Sequence, residues 1–222
     1  MAGLVRARTE RQKSETGGSA FSKPTVAKRP LILPPGTTLR SLVDWLRSED
    51  VPGLIIGGIA ASLLGRPRLT RDVDALILLD EHHWGTFLDA GSRFGFLPRI
   101  DHALTFARRS RVFLVHHKPS GVDVDVSLAA LPFEEESIAQ VQWMKVGELS
   151  LPLPTAENLI IMKAVAHRPQ DMADIEALLD ANPKLNFRRI RRWVREFSAA
   201  LSMPDISNDF ENVLKRRRKR KS

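Results

Sequence analysis

The 222-residue chain contains no cysteine. Disulfides, thiolate metal sites and cysteine nucleophiles are therefore excluded, and any metal must be held by oxygen or nitrogen. No apolar run approaches the ~20 residues of a membrane span, and the first residues lack an apolar signal core. A soluble, cytoplasmic protein with no membrane association is expected. The dinucleotide fingerprint G-x-G-x-x-G is missing, because Ile59 stands where its second glycine would fall. An EF-hand is missing too, since no Gly follows Asp74 and no Glu closes a loop. The adjacent pairs His82–His83 and His116–His117 make poor zinc sites, because neighbours on a strand face opposite ways and neither pair has further partners.

What is present centres on residues 53–80, GLIIGGIAASLLGRPRLTRDVDALILLD. Leu54-Ile55-Ile56 is a short apolar run bounded by glycine, which reads as a buried strand. Gly57-Gly58 ends it, and Ile59 to Leu64 forms a helix before Pro67. Glycine at such a turn lets backbone amides approach a phosphate closely, at a helix start that carries partial positive charge. A second strand follows from Asp72 to Leu79, with Asp72 and Asp74 on one face by the two-residue period. Two neighbouring carboxylates repel unless a cation lies between them, and their hard oxygens suit Mg2+ or Mn2+. A Gly-Gly pair alone is in most chains only a turn, and a lone D-x-D only a solvated edge. Their order within one short window gives the pattern its weight.

A second D-x-D occurs in Val122 to Leu128, VDVDVSL, where Asp123 and Asp125 share one face and the valines the other. Thr155 caps a helix whose buried side is Ile160, Ile161, Ala164 and Val165, with Lys163 among them. An isolated buried ammonium is costly, so Lys163 either runs its stem out to solvent or points at a phosphate group. Asp171 and Asp174, three apart after the helix-breaking His167-Arg168-Pro169, share one helical face.

Taken together, GGIAASLLGRPRLTRDVDALI (57–77) and KAVAHRPQDMADI (163–175) resemble the AbiEii-type nucleotidyltransferases. These belong to the DNA polymerase β-like nucleotidyltransferase superfamily, and the resemblance spans roughly Leu39 to Leu179. It implies an α+β fold with a mixed central sheet flanked by helices, followed by a helical region. It implies Asp72, Asp74 and a third carboxylate as metal ligands, the third lying shortly before Pro132-Phe133-Glu134. Asp125 is favoured for that place, with Asp123 as neighbour or substitute. Gly57, Gly58, Arg68, Arg71, Lys163 and Arg168 are expected to bind a nucleoside triphosphate, with Asp171 and Asp174 orienting the basic groups. The resemblance implies transfer of a nucleotide to RNA, often a tRNA 3′ end, by the toxin of a toxin–antitoxin pair, with an antitoxin as partner. Protein nucleotidylation, or a catalytically silent basic nucleic-acid-binding module, are the alternatives.

The net charge of +8 and the pI near 10.3 agree with a nucleotide or nucleic-acid partner. Much of that charge lies near the ends. Residues 1–35 read as a disordered basic tail, 36–152 as the nucleotidyltransferase core, 153–214 as a helical region, and 215–222 as a second disordered basic tail. Between the two D-x-D stretches, Thr105–Arg108 and Val112–His116 read as two strands around a basic turn. Thr37 or Thr38 is placed as the cap of a first helix. Arg188, Arg189, Arg191, Arg192 and Arg195 line the outer side of an amphipathic helix over 186–201, a candidate RNA-backbone surface.

Overall fold

In a computed structural model, residues 36–221 are described, and the N-terminal tail read from the sequence lies outside them. Helix α1 (Gly36–Ser48) buries Leu39, Leu42, Val43, Trp45 and Leu46 at helical spacing. Strand β1 (Gly53–Ile56), helix α2 (Gly57–Leu64) and strand β2 (Val73–Ile77) follow as the sequence predicts. Helix α3 (Trp84–Ala90) is flanked by short 3-10 turns, and Gly95 stops the second of these with φ of 84°. Then come β3 (Phe96–Pro98), α4 (Ala103–Ser110), β4 (Val112–His117), β5 (Val122–Leu128) and α5 (Pro132–Ala139). The hairpin β6 (Gln142–Val146) and β7 (Leu149–Leu153) turns at Gly147. Four helices complete the chain: α6 (Ala156–Ala166), α7 (Pro169–Ala181), α8 (Phe187–Ala200) and α9 (Pro204–Lys221).

The main sheet has the order β1-β2-β5-β4-β3. Only β2 and β5 run parallel; every other neighbouring pair is antiparallel. Period-2 alternation divides its residues cleanly. Val73, Ala75 and Ile77 of β2, with Val124, Val126 and Leu128 of β5, are buried on one face. Trp45 stacks there on Phe87 at 4.3 Å and on Phe96 at 5.2 Å, and Trp84 meets Phe113 edge-on at 5.8 Å. The opposite face carries Asp74 and Leu76 on β2 and Asp123, Asp125 and Ser127 on β5. Part of it is closed by a smaller apolar cluster of Leu54, Leu76, Ala129 and Ile138, against which Met162 of α6 packs. The main core is continuous from the sheet into α6–α9, through Leu159, Ile160, Ile175, Leu178, Ile190, Val194, Phe210 and Val213. This α+β arrangement is the one expected. Among the described residues, no helix is long and apolar enough to cross a membrane.

Three local expectations are corrected. The strand read over Thr105–Arg108 is part of helix α4, which starts and stops at the left-handed residues His102 and Arg111. Ala103 and Ala107, four apart and both buried, are the contacts that make it a helix. Thr38 does not cap α1 but sits fully buried within it, its hydroxyl 2.7 Å from that of Ser120. The basic run 215–221 forms the last turns of α9 instead of a disordered tail. Like charges there are neutralised by α7: Arg217 bonds Asp180 at 3.1 Å, and Arg216 and Arg220 reach Glu176 at 3.4 and 3.3 Å.

Candidate active site

The site begins where β1 hands over to α2. Ile56 is the register partner of Asp74, so the next residue, Gly57, passes directly over that carboxylate. Gly57 has φ of 63°, and a Cβ there would lie 2.6 Å from Asp74 Cγ. Glycine is thus required twice over, by conformation and by space. A Cβ on the buried Gly58 would lie 2.6 Å from Thr70 Oγ1. Gly57 is thus packed against the acid and Gly58 against the Thr70 side chain.

Parallel pairing of β2 with β5 makes Asp74 and Asp125 direct partners across the strands. Side chains at paired positions of neighbouring strands point to the same side, so the two carboxylates face one cavity of about 420 Å³. Five carboxylates line it: Asp72, Asp74, Asp123, Asp125 and Asp171. Four cations face them: Arg68, Arg99, Lys163 and Arg168, with Gly58, Thr70 and Gln170 completing the wall. Burial chiefly, and then the charge of Asp125, push the Asp74 carboxyl above its usual range; Lys163 and Arg168 pull the other way without reversing the shift.

The basic side of the cavity is an alternating chain of charge. Arg68 grips Asp174 through Nε and Nη2 at 2.9 and 3.0 Å. Asp174 Oδ2 is ion-paired with Lys163 Nζ at 2.9 Å, and Lys163 donates a hydrogen bond to Asp171 Oδ1 at 2.7 Å. Asp171 in turn accepts from Arg168 Nε at 2.8 Å. Lys163, Asp171 and Asp174 are all buried, and the ammonium expected at a triphosphate is here paired with two carboxylates. One of its three donors is committed to Asp171 by a hydrogen bond. Burial acts to raise Asp171, but the hydrogen bonds from Arg168 and Lys163, with their charges, outweigh it and hold the carboxyl below its usual range.

The structure also separates the two acids of β5. Asp123 pairs in register with His116 of β4, whose Nδ1 lies 2.7 Å from Asp123 Oδ1. That hydrogen bond, together with Arg99, holds Asp123 below its usual pKa against a smaller opposing effect of burial. Asp125 is the acid brought beside Asp74. Arg71, expected at the nucleotide, is exposed and does not line the cavity. Arg99 was not singled out from sequence, yet it bridges both acids of β5: Nη1 to Asp123 Oδ2 at 3.0 Å, and Nη2 to Asp125 Oδ1. No local pattern marks it, because its partners lie on a strand two neighbours away. Thr70 and Gln170 also escaped notice, although each sits inside one of the stretches that carry the resemblance.

Mg2+ or Mn2+ is the cation that the resemblance implies. Among the described residues, no three His, Cys, Asp or Glu side chains are drawn together as a metal site. The donor chemistry nonetheless fits: the cavity offers hard carboxylate oxygens, and burial first, then the charge of Asp125, raises the pKa of Asp74. Asp72, exposed at the cavity edge, adds a smaller push in the same sense.

No protein-family model matches this chain, and no curated protein does either. Solved structures do. The antigenic nucleotidyltransferase-like protein from Paracoccidioides brasiliensis matches with a TM-score of 0.50 and 16% identity, over 79% of this chain and 91% of that one. The antibiotic-resistance factor ANT(2″)-Ia, in complex with adenylyl-2″-tobramycin, also matches with a TM-score of 0.50 and 16% identity, over 75% of this chain and 98% of that one. At such identities the likeness is one of fold, and the fold is that of nucleotidyltransferases. The narrower AbiEii-type assignment has no matching family model.

Proposed function

We propose that this nucleotidyltransferase-fold protein transfers a nucleoside monophosphate from a nucleoside triphosphate to an acceptor hydroxyl. The observation that carries this reading is the in-register Asp74–Asp125 pair, set under the Gly57–Gly58 turn and facing a wall of cations. Asp74 and Asp125, with Asp72, would hold Mg2+ or Mn2+. The chemistry such an ion would supply there is neutralisation of phosphate charge and acidification of the attacking hydroxyl. The protein's own groups do the rest. Gly58 lines the cavity and would present its backbone to phosphate oxygens, whereas Gly57 is packed against Asp74. Arg68 and Arg168 are held by carboxylates at the cavity wall, where each keeps further N–H groups for a triphosphate. Lys163 contributes its charge from behind, while Asp171 and Asp174 fix its position.

For the acceptor we propose RNA, at a tRNA 3′ end, and for the biological role a toxin held in check by an antitoxin. Both follow from the resemblance of residues 57–77 and 163–175. The net charge of +8 supports an RNA partner. The α8 arginines support it less than their number suggests, because Arg189, Arg191 and Arg192 are paired with Glu136, Glu211 and Glu196. One observation favours a smaller acceptor. Leu76 and Ser127, two residues beyond Asp74 and Asp125 on the same sheet face, help line a second cavity of about 350 Å³ with Phe133, Met162 and Phe197. A silent binding module is the weakest reading, since all the acids needed for chemistry face one cavity.

The test is to incubate the protein and Mn2+ or Mg2+ with each of four α-labelled nucleoside triphosphates, against RNA, protein and small-molecule fractions of a cell extract. Label is expected in RNA. Asp74→Asn and Asp125→Asn should each lower the rate by at least ~100-fold, since outer-shell changes at metal sites alone cost about 10–100-fold. Label in no fraction with any nucleotide, or full activity in Asp74→Asn, would remove the reading. Label confined to protein or to small molecules would move the acceptor.

A further inference from the structure

The reaction proposed above leaves one group in an awkward place. Arg99 stands among the carboxylates, not with Arg68, Lys163 and Arg168 on the cationic wall. Its Nη1 is 3.0 Å from Asp123 Oδ2, and its Nη2 contacts Asp125 Oδ1, the acid in register with Asp74. The guanidinium therefore takes an oxygen of the acid best placed to share a cation with Asp74. Arginine is suited to this because its planar fork spans two acceptors at once.

The surroundings allow that side chain to leave. Arg99 follows the three-residue edge strand β3, and its backbone N–H is tied to Leu114 O at 2.9 Å. The main chain is thus anchored while the side chain is partly exposed, as are both carboxylates. Asp123 keeps a second partner, His116, when the guanidinium moves, so only Asp125 is left without one. The nearest compensation for Asp125 is a cation shared with Asp74. The nearest for Arg99 is an anion entering the same cavity, and a triphosphate brings both a divalent ion and that anion.

We propose that Arg99 is an exchangeable counter-ion that couples metal binding to nucleotide binding. Without nucleotide it competes with the divalent ion for Asp125; with nucleotide it transfers to a phosphate oxygen and Asp125 becomes available. Metal and nucleotide consequently bind with positive coupling, each raising the affinity for the other by the same factor. Arg99 is in this sense a positioning residue whose effect is read in binding, independently of turnover. This inference rests on the metal-dependent reading of the Asp74–Asp125 pair.

The experiment measures Mn2+ binding by electron paramagnetic resonance, with and without a non-hydrolysable nucleoside triphosphate. Wild type is compared with Arg99→Met, Arg99→Lys and Arg168→Met, with thermal unfolding as the check on folding. Arg99→Met should bind Mn2+ alone about two- to fivefold more tightly, the worth of a partly exposed ion pair. In that variant the enhancement of Mn2+ binding by nucleotide should shrink by a similar factor. Arg99→Lys, which keeps the charge but loses the fork, should fall between. Arg168→Met removes a positive charge from the same cavity without freeing Asp125, so its gain should be smaller than that of Arg99→Met. Equal Mn2+ affinity in wild type and Arg99→Met, or equal gains in Arg99→Met and Arg168→Met, would overturn the exchange while leaving the catalytic reading intact. Absence of Mn2+ binding in every variant, even with nucleotide, would overturn both.

Discussion

Lys163 shows how much one buried charge depends on its neighbours. Its ammonium is paired with two buried carboxylates, on a helix whose other buried residues, Asn158 apart, are apolar. Replacing it by Met keeps the length but leaves Asp171 and Asp174 facing each other without their shared cation. Breaking a buried pair in this way costs about 3–5 kcal/mol, so urea unfolding of Lys163→Met should show a loss of that order. A variant that lost activity but kept wild-type stability would mean that the ammonium serves substrate alone. Asp171 supplies a test in pH. Its folded pKa lies below the ordinary 3.8, so its contribution to stability is present above pH 3.8 and is lost as pH falls through the lower folded value. Asp171→Asn should therefore unfold at a clearly lower temperature than wild type at pH 7. The gap should narrow in acid below pH 3.8; a gap independent of pH would exclude the ionised pair as its source.

At the scale of elements, α9 divides into two parts with different physics. Its first part buries Ile206, Phe210, Val213 and Leu214 against the helical core. Each such side chain is worth about 1.5–3 kcal/mol, so removing all four approaches the whole stability of a typical domain. Its last turns are fastened by Arg216, Arg217 and Arg220 to Glu176 and Asp180 of α7, where the pairs are partly exposed. Such pairs contribute about 0–1 kcal/mol each and weaken with salt. A chain ending after Leu214 should thus fold, with about 1–2 kcal/mol less stability at low salt and a smaller deficit in 1 M salt. A chain ending before Pro204 should not fold. The same division explains what could be read in advance. Strands β1, β2 and β5 and the caps of α6 and α8 declare themselves through local alternation, glycine and Thr155 or Asn186. The basic run of α9 looks like a tail because the acids that neutralise it belong to another helix. Likewise α4 was misread because its two buried alanines carry little apolar signal. Arg99 was missed because its meaning comes from a strand that the chain reaches only later. The acids and the glycine turn could be read locally, whereas the pairing of Asp74 with Asp125 depends on a parallel contact that no local pattern contains.

Over the whole molecule, a basic protein carries a cavity in which acids outnumber bases, five to four. The excess is concentrated where folding tolerates it least. Burial and Asp125 raise the pKa of Asp74 above 3.8, so the ionised group at neutral pH opposes folding relative to its protonated form. The sign is opposite to that of Asp171: stability associated with Asp74 is full below pH 3.8 and declines as pH rises through the higher folded value. Two chemically identical substitutions in one cavity should then act in opposite directions at pH 7. Asp171→Asn should lower the unfolding temperature, whereas Asp74→Asn should raise it while lowering the proposed nucleotidyl transfer by at least ~100-fold. If the proposed metal and nucleotide bind at Asp74, their binding should restore that stability. Mn2+ with a non-hydrolysable nucleotide at 100 times its dissociation constant should stabilise the fold by about 2.7 kcal/mol. That gain requires the Asp74 carboxylate, so it should be absent from Asp74→Asn. If Asp74→Asn were less stable than wild type without ligand, or equally stabilised by Mn2+ and nucleotide, the acid would be part of the scaffold, and its crowding beside Asp125 would have no bearing on metal binding.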